Sequence, residues 1–313
     1  MLWAAAQWPI VEVNDKNVFY NQKKRECYEA YGKVADHRVE TVWIPFQGKA
    51  LPAWFHLPPD YKGGSIPAVW TIFGMDGCKE AGVALYGDRF LKRGIAVLTI
   101  DGPGSYESPL LGIHASVPNW QEAGRAIYAW LAARGEIDPR RIGVVGVSFG
   151  SFYSTVAAAA EPRHAVVAAS GTCLEPGCHT IFEEASPTFK RRYMFMAGYT
   201  NESQFDEFMK TLSLDGIAEQ IKIPYLIIAG DADELCPLEF TDRQFRRMTG
   251  PRNLIVYQDS RHSVGTVPST VLGPAPSALL ADWVAARFAG KPFASQRWYV
   301  DASGQINKTE FKG

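Results

Sequence analysis

No run among the 313 residues approaches the roughly 18 unbroken apolar positions that a membrane-spanning helix needs. The apolar start, Leu2-Trp3-Ala4-Ala5-Ala6, has no basic residue ahead of it and is soon followed by Asn14, Asp15 and Lys16. It reads as part of the fold rather than as a secretion signal. Cysteine is sparse: Cys27, Cys78, Cys173, Cys178 and Cys236 form an odd, scattered set, which excludes a disulfide framework. Cys173, Cys178 and His179 lack the second Cys or His pair that would complete a zinc site. Neither sign of charge prevails, with 32 Lys+Arg against 33 Asp+Glu and a net charge of −1. The basic excess of a phosphate-tracking nucleic-acid binder is therefore missing. The chain has no internal repeat of about 20–50 residues and no low-complexity tract. These absences leave the expectation of a soluble, reduced, cytoplasmic protein. It should use no metal and no cofactor, have no nucleic-acid or membrane partner, and act on a small molecule.

What is present is core material: 47% of residues are hydrophobic and 21% charged. The length allows two domains, or one α/β domain of roughly 250 residues with a smaller insert. Residues 18–35 carry Lys, Glu and Tyr at helical spacing and read as a surface helix. Residues 38–46 then alternate with period two, and 51–57 do so again across Gly48, which predicts an antiparallel hairpin. From residue 67 onward short apolar runs alternate with helical stretches. Strands are expected at 68–73, 95–100, 142–147, 165–169, 225–229 and 253–257. Helices are expected at 82–93, 120–134, 148–160, 238–248 and 277–288. Strands without polar alternation are buried on both faces, so this rhythm predicts a mostly parallel α/β sheet with helices on both faces and an antiparallel opening hairpin. Ligands of such sheets sit at the carboxyl ends of the strands.

The organisation expected is a helical cap over 1–37, a core made of 38–169 and 215–294, a helical lid insert over 170–214, and an appendage or weak edge hairpin over 295–313. The lid is read from Phe182, Phe189, Tyr193, Phe195, Tyr199, Phe205 and Phe208, large apolar groups in a stretch too long for a plain connection.

The strongest motif is Gly146-Val147-Ser148-Phe149-Gly150, a G-x-S-x-G sequence at a strand-to-helix junction. A sharp turn there needs small flanking residues and lifts the Ser148 hydroxyl above the sheet. A nucleophilic serine needs a base, and the base needs an orienting carboxylate. The loop after strand 225–229, Gly230-Asp231-Ala232-Asp233-Glu234-Leu235-Cys236-Pro237, offers Asp231, Asp233 and Glu234. Spacing from Gly230 and the Pro237 ahead of the next helix favour Asp233, with Asp231 and Glu234 as alternatives. His262 follows the strand 253–257 and is the sole histidine after His179. His37, His56, His114 and His164 read as structural. Two backbone N–H groups should stabilise a developing oxyanion. Phe149 supplies one. The other comes from Gly74-Met75-Asp76-Gly77, with Met75 first choice and Asp76 second.

At these residues the chain resembles the α/β-hydrolases. More narrowly it is similar to the branch of FrsA-like esterases, fungal polyketide-shortening hydrolases and 2,6-dihydroxypseudooxynicotine hydrolase. The resemblance is carried by the hairpin residues 42–58, by Gly74-Met-Asp-Gly-Cys-Lys-Glu80, by Asp101-Gly-Pro-Gly-Ser-Tyr-Glu-Ser108, and by Phe182-Glu-Glu-Ala-Ser-Pro-Thr-Phe189 with the Lys-Arg-Arg-Tyr-Met194 that follows. Together these span residues 38–290 with gaps. The resemblance implies the α/β-hydrolase fold and a triad of Ser148, Asp233 and His262. It also implies cleavage of a carbon–carbon bond in a 1,3-diketone-like or polyketide-like substrate. A lid carboxyl group would assist, with Glu175, Glu183 and Glu184 as candidates. Asp76, Tyr106, Glu175, His179 and Glu183 are the expected substrate-binding side chains. Tyr106 stands where the branch usually has Gly, narrowing the rim of the site or adding a hydroxyl. Members of the branch look dimeric through cap regions, so a homodimer using Trp3 and Trp8 is compatible with the resemblance. A carboxylesterase or amidase of the same fold is the alternative function. A non-catalytic binding protein is disfavoured by the intact Ser, Asp and His, and a serine peptidase by a chain without room for a propeller or large gating domain.

Overall fold

The computed structural model describes residues 1–83, 88–264 and 275–311. Ten strands form one sheet in the order β1-β2-β4-β3-β5-β6-β7-β8-β9-β10. The hairpin of β1 (Val39–Phe46) and β2 (Lys49–His56) is antiparallel, and β2 joins β4 (Ala96–Ile100) antiparallel. From β4 the sheet is parallel through β3 (Ile66–Ile72), β5 (Ile137–Ser148), β6 (Val166–Thr172), β7 (Tyr225–Gly230), β8 (Arg252–Tyr257) and β9 (Gln296–Val300). All six expected core strands are present, and β5 begins five residues earlier than the apolar run suggests.

Successive residues of these strands face opposite layers. Trp70, Leu98, Val144 and Leu254 join one core with Trp120, Ile127 and Phe152 of the helices α3 (Val117–Ala132) and α4 (Phe149–Ala160). Val69, Val97, Val145 and Ile255 join another with Leu280, Val284 and Phe288 of the helix Pro276–Phe288. Both faces are thus covered, which explains why the strands lack polar alternation. Each fully buried Val, Leu or Ile contributes about 1.5–3 kcal/mol. The helix expected over 82–93 lies partly outside the described residues; a 3-10 turn occupies Leu91–Arg93.

Three segments add to this core. After the short α1 (Leu2–Gln7), the helix α2 (Asp15–Gly32), capped by the Asn14 side chain on the Asn17 N–H, is more than a surface helix. Asn17, Asn21, Lys24 and Tyr28 are buried along one face. Their spacing is helical, but the face is mostly polar and leaves no hydrophobic stripe to detect. The inserted segment carries a π-helical turn at Thr180–Ala185 and the helices α5 (Pro187–Ala197) and α6 (Glu202–Met209). Its aromatic residues pack on one another and on Phe149. Ring centroids are 4.6 Å apart for Phe149–Tyr193, 5.0 Å for Phe182–Tyr193 and 5.6 Å for Phe182–Phe205. The last segment holds β9 and β10 (Ile306–Glu310), an edge hairpin whose first strand pairs with β8.

Candidate active site

Ser148 ends β5 with φ 57° and ψ −128°, a strained conformation for a side-chain-bearing residue. The turn depends on its flanking glycines. A Cβ on Gly146 would strike the Gly150 carbonyl, and one on Gly150 the Ile72 carbonyl. Phe149 starts α4, so its N–H has no intrahelical acceptor and adjoins the positive end of the helix. The loop after β3 comes equally close: a Cβ on Gly74 would lie 2.8 Å from Ser148 Oγ and 3.5 Å from Asp76 Oδ1. Gly77 N–H donates to the Gly74 carbonyl at 3.3 Å and closes that turn.

His262 Nε2 lies 2.8 Å from Ser148 Oγ, and Nδ1 lies 3.0 and 2.9 Å from the two carboxylate oxygens of Asp233. The tautomer that satisfies both partners has its proton on Nδ1, leaving Nε2 to accept from the serine hydroxyl. Asp233 is buried, and its Oδ1 also accepts the N–H groups of Leu235 and Cys236 at 2.9 and 3.1 Å. The three carboxylates of this loop have separate partners. Asp231 accepts the Asp259 N–H at 2.7 Å and the Tyr299 hydroxyl at 2.8 Å, while Glu234 accepts the His262 N–H at 3.1 Å. The histidine loop fits closely because Gly230 and Gly171 lack side chains. A Cβ on Gly230 would overlap the Ser260 carbonyl, and one on Gly171 would lie 2.6 Å from the His262 carbonyl.

The remaining expected site residues are distributed unevenly. Asp76 is exposed beside the Ser148 turn. Glu175 is buried, and its carboxylate accepts the Thr180 N–H at 2.9 Å. His179 and Glu183 are exposed: His179 Nδ1 lies 3.3 Å from the Glu184 carboxylate, and Glu183 pairs with Lys190 at 2.6 Å. The rim reading of Tyr106 is corrected. This residue is only 2% exposed, with φ 28°, and its hydroxyl donates to the Asp76 carbonyl at 2.8 Å, so it supports a loop rather than forming a rim.

Several residues near the site have contacts that the sequence did not assign. The Cys173 thiol lies within hydrogen-bonding reach of Ser148, and burial raises its pKa well above the ordinary thiol value. Burial likewise pushes the Cys236 thiol up to about 11. These are packed, protonated sulfurs. Behind the 74–80 loop lies a buried ionic cluster. Lys79 Nζ contacts Glu107 at 2.6 Å, Glu80 at 2.9 Å and Asp101 at 3.0 Å, and Lys24 of α2 reaches Glu80 at 3.3 Å. Burial opposes the Lys79 charge, but Asp101, Glu80 and Glu107 outweigh it and hold its pKa well above normal. The Lys79-Glu80 and Asp101–Ser108 motifs are thus the internal tie between α2 and the loops around β4. No group of three or more His, Cys, Asp or Glu among the described residues could hold a metal ion, and no helix there is long and apolar enough to cross a membrane.

A mostly parallel sheet with a serine on the bend after β5, contacted by a histidine from the loop after β8 that is held by a carboxylate from the loop after β7, defines an α/β-hydrolase. Within that class the chain belongs to the prolyl oligopeptidase family, whose model matches residues 125–291. The model of the X-Pro dipeptidyl-peptidase (S15) family matches residues 25–180. Among curated proteins, the 2,6-dihydropseudooxynicotine hydrolase of Paenarthrobacter nicotinovorans is 26% identical over 267 residues, 84% of this chain and 68% of that protein. The hydrolyase ccsE of Aspergillus clavatus is 34% identical over 141 residues, 41% of this chain and 32% of that protein. The crystal structure of the 2,6-dihydroxy-pseudo-oxynicotine hydrolase superposes with a TM-score of 0.78 at 24% identity, covering 91% of this chain and 78% of that one. The chain is a hydrolase.

Proposed function

We propose that Ser148, His262 and Asp233 form a catalytic triad that works through an acyl-enzyme, and that the bond cleaved is a carbon–carbon bond of a 1,3-diketone or polyketide-like substrate. The observation that carries the triad is the continuous hydrogen bonding from Ser148 Oγ through His262 to both oxygens of Asp233. The carbon–carbon reading is supported by the likeness to a 2,6-dihydropseudooxynicotine hydrolase over most of the chain.

His262 takes the Ser148 proton as Oγ bonds to one ketone carbon, and the carbonyl electron pair moves onto oxygen. The N–H groups of Phe149 and Met75 stabilise that oxyanion. When the carbonyl reforms, the adjacent carbon–carbon bond breaks and its electron pair leaves as an enolate, which takes the proton back from His262. Water, deprotonated by His262, then hydrolyses the acyl-serine to a carboxylic acid and the free enzyme. Asp233 keeps the imidazole in the required tautomer and stabilises its charged form. Glu175 is the inserted-segment carboxylate outside the exposed ion pairs and is the favoured one to assist the enolate.

Membership of the prolyl oligopeptidase family supports a second reading, an esterase or amidase with the same acyl-enzyme. Turnover of an aryl 1,3-diketone is measured beside a panel of p-nitrophenyl esters. Diketone cleavage that is lost in a folded Ser148→Ala variant is the expected result. Rapid ester turnover with an inert diketone removes the carbon–carbon reading and leaves the second.

A further inference from the structure

We infer that Tyr106 is a positioning residue of the oxyanion hole, acting through two peptide groups in series. This rests on the functional reading above. The Tyr106 hydroxyl donates to the Asp76 carbonyl at 2.8 Å. That carbonyl shares a peptide unit with the Gly77 N–H, which donates to the Gly74 carbonyl at 3.3 Å. The Gly74 carbonyl in turn shares a peptide unit with the Met75 N–H, the expected oxyanion donor. In a trans peptide the N–H and C=O point in opposite directions, and the described residues contain no cis bond. The chain therefore runs head to tail from the phenol, through two peptide dipoles, to an N–H in the turn that abuts Ser148. Hydrogen bonds linked in this way polarise one another, so the phenol strengthens the terminal donor as well as fixing its direction.

The ring is held so that the hydroxyl cannot swing away. Lys24 Nζ lies 4.5 Å from the ring centroid and the Arg192 guanidinium 4.9 Å from it. Lys24 is anchored by Glu80. Arg192, on α5, donates to the carbonyls of Trp8 and Ile10 at 3.1 and 3.3 Å. One side chain is thus gripped by the amino-terminal helix and by the inserted segment while its hydroxyl bears on the loop beside the nucleophile. Burial raises the phenol pKa, so the group stays a donor across the physiological range.

The test is phosphonylation by an alkyl fluorophosphonate, with the labelled residue identified by mass spectrometry and kinact and KI measured separately. Wild type should label on Ser148. Tyr106→Phe should lower kinact about tenfold while KI and the thermal midpoint stay near wild type, the pattern of a weakened oxyanion donor. A folded Tyr106→Phe whose kinact is within about twofold of wild type overturns the inference, as does a loss that appears in KI instead. If Tyr106→Phe does not fold, 3-fluorotyrosine at position 106 gives a stronger donor of nearly the same shape. Labelling at least as fast as wild type supports the inference, and slower labelling overturns it. Wild type that does not label on Ser148 overturns the functional reading and this inference with it. Normal wild-type labelling with an unimpaired variant overturns the inference alone.

Discussion

Glu234 accepts the main-chain N–H of His262 at 3.1 Å, one residue along from the carboxylate that holds the same histidine's ring. Two neighbouring acids therefore grip one histidine, one by its backbone and one by its imidazole, and the two grips should differ in their consequences. Asp233→Asn should lower kcat by about 10⁴, because the amide no longer enforces the required tautomer. Glu234→Gln keeps an acceptor for the N–H at a partly exposed site and should cost less than about tenfold. Steady-state kinetics of the two variants, with circular dichroism to verify folding, check this. Equal losses would contradict it.

Gly230 is predicted to be a position where a single methyl group disturbs the chemistry from a distance. The added Cβ in Gly230→Ala would overlap the Ser260 carbonyl, two residues before His262. A displacement of about 1 Å in a catalytic group costs roughly 10²-fold in rate. The variant should lose kcat on that scale and label more slowly with a fluorophosphonate while retaining its secondary structure.

The buried ion cluster predicts a large effect on stability. Lys79→Met leaves Glu80, Asp101 and Glu107 facing Lys24 and the partly exposed Arg25 without their central cation. Removing one partner of such a buried set costs about 3–5 kcal/mol. A lowered thermal midpoint and urea midpoint would show it. Lys24→Met should cost less, because Lys79 still lies against all three acids.

Two buried histidines predict acid sensitivity. Burial lowers the pKa of His164 to about 4 and that of His56 to about 3, from an ordinary 6.5. His164 Nε2 accepts from Trp70 Nε1 at 3.0 Å, and its Nδ1 donates to the Glu161 carbonyl at 2.8 Å, so the neutral ring is fully engaged. Below pH 6.5 the unfolded chain binds protons that the folded chain refuses. Stability is therefore complete above that value and falls as pH drops toward 4 and then 3, each group steepening the fall by up to about 1.4 kcal/mol per pH unit. Urea unfolding between pH 7 and pH 4 measures the slope, and His164→Gln should flatten it.

The core strands were legible in the sequence because they are continuous apolar runs between turn residues. Ser148 was legible because a sharp bend demands glycine on both sides. Asp233 was favoured over Asp231 and Glu234 from loop spacing alone; what the sequence did not show is that Asp231 meets Tyr299 and Glu234 a backbone N–H while Asp233 meets the His262 ring. The buried side of α2 escaped detection because it is lined by polar Asn17, Asn21 and Lys24; Asn17 bonds Gln7 and the carbonyls of Ile10 and Glu12, and Lys24 meets Glu80 far along the chain. The aromatic residues of 182–208 suggested a helical insert, and their large side chains pack on one another. For Tyr106 the sequence suggested a rim, because nothing local shows that its hydroxyl meets the Asp76 carbonyl.

The bond from Arg192 to the carbonyls of Trp8 and Ile10 also bears on how the molecule is made. On the ribosome Trp8 and Ile10 emerge well before the arginine that bonds them, and Lys24 before its partners Glu80 and Asp101. Contacts so distant in sequence form slowly. During synthesis Lys24 must wait for the loops after β3 and β4, and Trp8 and Ile10 for Arg192, which follows β6; that interval is when a nascent chain would be most exposed to proteases and chaperones.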